Sequence, residues 1–522
     1  MCIPLNRGQA SGASLETFHS TNYKEVLMSD SDSEAKDIDF KEGSSLHPLE
    51  ESVLSIASGR FDQSDKKAGE ETFKVPGLDA GQPVIYETLQ DTSFQKLTNI
   101  AEQIKECIRF VSENVRDREE VIRQSFYALI TGEHQIIVSR TGMAKSLLAR
   151  QIFSCFDDAY VFEKQLTKDT MPENLFGAYD MESMKKGKMI HNVEGSLVLS
   201  HFAFLDEIFD ANDMLLRSLL SLLNEKQLVN GEQIVNSTLH SAIAAANYVR
   251  ITEIMEAVLD RFLYKSYLPE NRDLFFQYSI DHVYQEHFGK VGIPEKRLTL
   301  GQLSYVKKVI KSRQIDIPLY LLFLKNYIIN KYVEETRNVV SDRQDYTVSD
   351  RKRVKILDTL RASAVLDGRH QVEDKDLDNL HYVVCTLGRA EEKKRLNKIT
   401  SAARNYFRQD KKVLENVFDA ISILNIIKTN DSSEILRSDA NFNHIKNKLE
   451  KVSRSENSIF KEYLNRIKQT FTTLSRDNYV SETFRVLEDI SEISLKNTIT
   501  REGKELITGF RTELSKEKKL AL

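Results

Sequence analysis

The run Gln135-Ile136-Ile137-Val138-Ser139-Arg140-Thr141-Gly142-Met143-Ala144-Lys145-Ser146-Leu147-Leu148 decides the fold. Its first four residues read as a short apolar strand. Its last residues open a helix that continues through Leu147, Leu148 and Ile152. A loop set between strand and helix can cradle phosphate if it supplies three things: inward-turned backbone N–H groups, a lysine that reaches the β and γ phosphates, and a hydroxyl for Mg²⁺. Gly142, Lys145 and Ser146 supply them at the required spacing. The N-terminus of the following helix adds a favourable dipole. The stretch expected to hold nucleotide is therefore Ser139, Arg140, Thr141, Gly142, Met143, Ala144, Lys145, Ser146 and Leu147. Two positions depart from the usual phosphate loop. Ser139 stands where the consensus opens with glycine, and Ala144 precedes the lysine where many such loops carry glycine. Taken alone, Gly-x-x-Lys-Ser also reads as a lysine and a serine at the head of an ordinary helix.

The downstream order answers that alternative. Phe202-Ala203-Phe204-Leu205-Asp206-Glu207 is an apolar strand that ends in two carboxylates, about 60 residues after the loop. Asp206 is placed to share Mg²⁺ with Ser146 at the carboxyl end of an open sheet. Glu207 is placed to orient and deprotonate an attacking water. Gln227-Leu228-Val229-Asn230-Gly231-Glu232-Gln233-Ile234 carries the Asn-Gly signal of a tight hairpin. The strand Ala242–Ala246 then ends at Asn247, a polar group next to Asp206 that suits a water near the γ-phosphate. Arg261, in Asp260-Arg261-Phe262, has the character of an arginine finger acting on a neighbouring subunit. Its plainer reading is a surface ion pair with Asp260 or Glu256.

Working outward, residues 1 to about 90 read as an acidic tail; Ser29-Asp30-Ser31-Asp32-Ser33-Glu34 has nothing to bury. Apolar positions at steps of three and four begin at Phe94 and continue through Leu97, Ile100, Ile104, Ile108 and Val111. A second helix carrying Val121, Ile122, Phe126 and Leu129 should stop at Gly132. After Pro318 the chain has no proline, and from about 390 its composition favours long helices. With 522 residues, two or three domains are expected. The net charge of −5 gives no global attraction to nucleic acid, so a nucleic-acid partner is not expected. The four cysteines, Cys2, Cys107, Cys155 and Cys385, form no C-x-x-C pair, which argues against a zinc ribbon. No run of about 18 apolar residues offers a membrane span, and no secretory signal opens the chain.

The series from Ala128-Leu129-Ile130-Thr131-Gly132-Glu133, through the phosphate loop, Leu205-Asp206-Glu207-Ile208 and Asn224-Glu225-Lys226-Gln227, to Leu259-Asp260-Arg261-Phe262 resembles the MoxR family of AAA+ ATPases. Its RavA-like branch is the best match. Val348-Ser349-Asp350-Arg351-Lys352, Leu360-Arg361-Ala362-Ser363-Ala364 and Asp367-Gly368-Arg369 are similar to that branch's lid. The resemblance covers about residues 110 to 390.

It implies an α/β fold: an AAA+ P-loop core with a parallel sheet (91–268), an all-α lid (269–390) and a helical C-terminal region (391–522). Arg351 is similar to the family's sensor 2 arginine, at a helix start capped by Ser349 or Asp350. Lys185 to Leu197, with Gly187 and Gly195, fits the hairpin that the family inserts in the core's second helix; Thr167 to Gly177 fits the stretch before it. The implied activity is Mg²⁺-dependent ATP hydrolysis by a hexameric ring in the cytoplasm. The implied work is chaperone-like remodelling or assembly of a client complex, with a von Willebrand factor A domain protein as companion. Two other readings are a nucleotide-gated scaffold with little hydrolysis, suggested by Ser139-Arg140-Thr141 in place of the family's Gly-Pro-Pro, and a nucleic-acid motor. The region after about 391 does not show the small β-rich module of RavA itself.

Overall fold

A computed structural model describes residues 94–231, 233–248, 253–287, 291–312, 314–339, 346–429 and 479–521. The expected acidic tail and the stretch 430–478 lie outside the described residues.

The five-stranded sheet is parallel throughout. In chain order its strands are β1 (Gln135–Ser139), β2 (Val161–Gln165), β3 (Phe202–Asp206), β6 (Ser241–Ala246) and β7 (Tyr264–Leu268); β4 (Gln227–Asn230) and β5 (Gln233–Asn236) form the separate antiparallel hairpin. The order across the sheet is β2-β3-β6-β1-β7. The strands β1 and β6 are buried at every position, which fits the apolar or small-residue runs Ile136–Ser139 and Ser241–Ala246; buried Gln135 donates its amide to Ser266 Oγ at 2.8 Å. Register brings the functional ends together: Leu205 lies beside Ala244, and Ala246 beside Val138. Asp206, Asn247 and Ser139 therefore emerge side by side at one edge, the carboxyl ends of the strands.

Helices cover both faces. The first helix, α1 (Phe94–Asn114), buries Leu97, Ile100, Ala101, Ile104 and Val111 of the predicted face together with Cys107, and leaves the predicted Ile108 half-buried. The second, α2 (Glu119–Thr131), ends at Gly132 with φ +67°; Glu133 N–H donates to Ala128 O and Gly132 N–H to Leu129 O, a left-handed cap that glycine adopts without Cβ strain. The helix after the phosphate loop is α3 (Lys145–Phe153), and α4 (Asp213–Glu225) starts at Asn212, whose side chain accepts from Leu215 N–H at 2.9 Å.

Beyond the sheet the described structure is helical: α5 (Glu253–Arg261, just before β7), α6 (Leu274–His287), α7 (Leu300–Lys311), α8 (Leu319–Val339), α9 (Asp350–Leu366), α10 (Ala390–Tyr406), α11 (Lys411–Thr429), α12 (Tyr479–Asn497) and α13 (Arg501–Ala521). Of the two expected caps of α9, Ser349 serves: its hydroxyl accepts from Lys352 N–H. The lid helix α9 packs on α1 and α2. The last helices join the lid through Phe323, whose ring meets Phe407 and Phe418. Buried Asp410 fastens the start of α13, accepting from the N–H groups of Ile499 and Thr500 at 2.9 and 2.8 Å. No described helix is long and apolar enough to cross a membrane.

The expected hairpin at Lys185–Leu197 is displaced. The loop is closed earlier, by Asp180 N–H to Ile190 O and Asn192 N–H to Ala178 O, both 2.8 Å, with a short helix Met181–Lys185 inside it. Asp180 accepts from Ser183 N–H and caps that short helix, while Tyr179 and His191 form a single antiparallel bridge at the loop's base. Gly177 makes the closure possible: a Cβ there would lie 1.8 Å from Asn192 O.

Candidate functional site

The phosphate loop leaves β1 at buried Ser139 and turns through exposed Arg140, Thr141 and Gly142. Gly142 has φ +80° and Ala144 has φ +55°. Gly142 is required by its backbone angle and not by crowding, since a Cβ there would meet nothing within 4 Å. Ala144 stands in the same left-handed region, which is the physical reason that glycine suits this position. Met143, Ser146 and Leu147 are half-buried on the loop and the first turn of α3.

Lys145 is buried and points across the strand ends. Its Nζ donates to Asn247 Oδ1 at 2.5 Å, to Ser139 O at 3.2 Å and to Ala246 O at 3.4 Å. Asn247 Nδ2 in turn donates to Glu207 Oε1 at 3.0 Å. Asp206 Oδ1 accepts from Glu207 N–H at 2.9 Å. Four of the expected residues, from three separate loops, thus form one connected group. Burial lowers the Lys145 pKa, against the pull of Asp206 and Glu207. Burial also raises the Glu207 carboxyl, helped by a hydrogen bond with Asp210 and by the charge of Asp206. Glu207 has φ +53°, a conformation that costs a non-glycine residue roughly 1–2 kcal/mol.

Asp210 and Tyr248 were not singled out by the sequence. Tyr248 Oη donates to Asp210 Oδ1, so the turn after Glu207 is tied to the turn after Asn247. Asp210 lies three residues beyond Glu207 across a single 3₁₀ turn, and only that spacing could have pointed to it. Arg140, at the loop's outer lip, pairs with Glu270 at 3.3 Å beyond β7.

Two expected residues stand apart from this group. Arg261 pairs with Asp260 at 2.9 Å, and its buried Nε has no partner. The ion-pair alternative is therefore present within the chain. Arg351 is exposed in the first turn of α9. Next to it, burial lowers the Lys352 ammonium, against the attraction of Asp260.

Residues 102–273 match the family model of the MoxR domain in MoxR–vWA–beta-propeller ternary systems, and residues 322–400 match that of an AAA lid domain. Over these residues the core and the helices that follow are similar to a MoxR domain and an AAA lid. Among curated proteins, two uncharacterized proteins of Methanocaldococcus jannaschii are 28% and 27% identical over 271 and 268 residues, each alignment covering 51% of this chain. The chain spans 66% of the first of them, just under two thirds, and 67% of the second. A structural protein of Acidianus two-tailed virus is 26% identical over 227 residues, which is 41% of this chain and 36% of that protein. A solved Cytophaga hutchinsonii protein, described as a candidate ATPase, is 19% identical with a TM-score of 0.47, covering 60% of this chain and 96% of its own.

Proposed function

We propose that the chain is a RavA-like MoxR ATPase that works as a ring and remodels or assembles a client complex. The observation that carries this reading is the linked group Lys145–Asn247–Glu207 with Asp206 beside it, at the carboxyl edge of a parallel sheet. ATP is the substrate, its phosphates held by the loop from Ser139 to Leu147. Ser146 and Asp206 offer a hydroxyl and a carboxylate, hard oxygen donors that fit Mg²⁺ and leave the rest of its shell to phosphate and water. Bound there, Mg²⁺ would neutralise charge on the phosphates.

The protein's own groups divide the remaining work. The Lys145 ammonium would exchange its bond to Asn247 for the terminal phosphates. Glu207 would take a proton from the attacking water, its raised pKa bringing it closer to a working base. Asn247 would hold Glu207 in place through Oε1. Arg261 would leave Asp260 and complete the site of a neighbouring copy, while Arg351 would follow the lid; a hexamer is the assembly that AAA+ kinship suggests. The matched family model, described from MoxR–vWA–beta-propeller systems, supports a von Willebrand factor A domain partner. A cytoplasmic location fits this work.

The rival reading, a nucleotide-gated scaffold with little hydrolysis, is favoured by the Arg261–Asp260 pair, which holds the finger within its own chain. ATP turnover against protein concentration separates the two. Turnover per subunit should rise with concentration, and Arg261→Ala should lower it by roughly 10³-fold or more. Nucleotide binding without turnover at any concentration would favour the scaffold.

A further inference from the structure

The pairing of β3 with β6 is registered as far as Leu205 beside Ala244. Glu207 lies two residues beyond that point and Asn247 three. Their separation is therefore set outside the sheet, by side chains that bridge two turns. The inner bridge is Asn247 Nδ2 to Glu207 Oε1, at 3.0 Å. The outer bridge is Tyr248 Oη to Asp210 Oδ1. Asp210 is also bound back to Glu207: its N–H donates to Glu207 O at 2.8 Å across the turn Ile208–Asp210. Asn247 and Tyr248 are neighbours in the chain. The four residues thus close a ring that ties the two turns together twice.

The two bridges meet different fates during turnover. The inner one is made by groups that hydrolysis would use: Lys145 would leave Asn247 for phosphate, and Glu207 would turn to water. The outer one is made by groups to which that chemistry gives no other task, so it can persist when the inner one loosens. Something must then hold the Glu207 turn. Glu207 stands at φ +53°, and such a conformation persists in a non-glycine residue only where its surroundings enforce it. Asp210 and Tyr248 supply that restraint from the far end of the same turn.

We propose that Asp210 and Tyr248 are positioning residues of the hydrolytic site, whose hydrogen bond holds the Glu207 turn against the Asn247 turn so that the two keep the attacking water between them. This assignment rests on the ATPase reading. Both residues act through Glu207 and Asn247, so the bond governs the chemical step and leaves nucleotide binding alone.

The test is ATP turnover of the full chain, read as kcat and KM, beside its affinity for a non-hydrolysed ATP analogue and its melting temperature. Tyr248→Phe and Asp210→Ala should each lower kcat by roughly 10- to 100-fold, the order of loss that a slightly misplaced catalytic group brings. Analogue affinity and melting temperature should stay at wild-type values. The double variant should be no slower than either single one, because both remove the same bond. Asp210→Asn should recover most of the lost kcat, since its Oδ1 still accepts from Tyr248. Unchanged kcat in Tyr248→Phe overturns the proposal and leaves the ATPase reading standing. So do losses that multiply in the double variant, or an Asp210→Asn variant as slow as Asp210→Ala. A fall in kcat matched by an equal fall in analogue affinity, or by early melting, overturns it too, because the bond would then serve binding or the fold. A wild type that binds the analogue and never hydrolyses ATP overturns the ATPase reading and the proposal together.

Discussion

The two edges of the parallel sheet carry the same residue types to different ends. At the carboxyl edge, Lys145, Asp206, Glu207 and Asn247 hold one another through a few bonds, on a backbone with three left-handed residues, Gly142, Ala144 and Glu207. At the amino edge, Glu133, His134, Lys226, His240, Lys307 and Lys355 are committed to structure. Lys355 of the lid pairs with buried Glu133 of the core. Lys226 Nζ donates to Leu239 O at 2.9 Å and lies 3.3 Å from His134 Nε2. His134 Nδ1 accepts from Ala242 N–H at 3.0 Å, and His240 Nε2 lies 2.6 Å from Leu129 O. Lys307 lies over Gly132, where a Cβ would come within 2.3 Å of its Nζ, and brings positive charge to the C-terminus of α2. Chemistry needs bonding capacity that a substrate can claim. At the amino edge Glu133, His134, Lys226, His240 and Lys355 are each bonded to backbone or to one another, and its clustered lysines are read as a joint between core and lid.

The largest expected effect tests the carboxyl edge. Glu207→Gln should lower ATP turnover by roughly 10²–10⁴-fold, while nucleotide binding and the melting temperature stay near wild type. A variant that melts much earlier would show that Glu207 serves the fold. The mirror experiment is Glu133→Gln, which leaves Lys355, Lys307 and Lys226 without their shared carboxylate. Loss of one member of a largely buried pair should cost about 3 kcal/mol. The denaturant midpoint should fall accordingly, and turnover per folded molecule should change little. A large loss of turnover with unchanged stability would overturn the division between the edges.

Acidity sharpens the same contrast by a smaller effect. Burial, then the charge of Lys307, holds the Lys226 ammonium down to about 7, and the same two causes push His240 down to about 3. An unfolded lysine titrates near 10.4 and an unfolded histidine near 6.5. From about pH 7 to pH 10 the unfolded chain therefore carries a proton at Lys226 that the folded chain lacks, and stability rises with pH across that window. From about pH 6.5 to pH 3 the same holds at His240, so stability falls as acid is added. Urea midpoints between pH 7 and pH 9 should rise in the wild type and rise less in Lys226→Met. Identical slopes would mean that the Lys226 ammonium is solvated.

The carboxyl edge was legible because phosphate chemistry fixes residue types at short spacings inside a strand–loop–helix unit. Gly142, Lys145 and Ser146 span five positions, and Asp206-Glu207 and Asn247 each end an apolar strand. The amino edge was illegible for the opposite reason. Glu133 and Lys355 are 222 residues apart, on elements that meet only when the lid packs. The segment Lys185–Leu197 was read as a hairpin on Gly187, Gly195 and its likeness to the family's insert, whereas the loop closes at Ala178 and Asn192. The Asp180 cap, a local side-chain bond, decided instead for a helix. Asp410 was passed over within a helical run, although it caps a helix about 90 residues away.

The smallest effect concerns the second departure of the phosphate loop from its usual pattern. Ala144 precedes the phosphate-loop lysine with φ +55°. A left-handed alanine costs roughly 1–2 kcal/mol, and glycine's extra chain entropy gives back about half of any relief. Ala144→Gly should therefore stabilise by about 0.5–1 kcal/mol, seen as a small rise in melting temperature. Ala144→Val should destabilise by more, because a β-branched side chain tolerates that conformation least. Gly142→Ala supplies the control: no atom obstructs its Cβ, so its cost should be the backbone term alone. If valine at 144 is accepted freely while alanine at 142 is not, the strain lies in the loop's middle, and Ala144 is not where this loop pays for lacking a glycine.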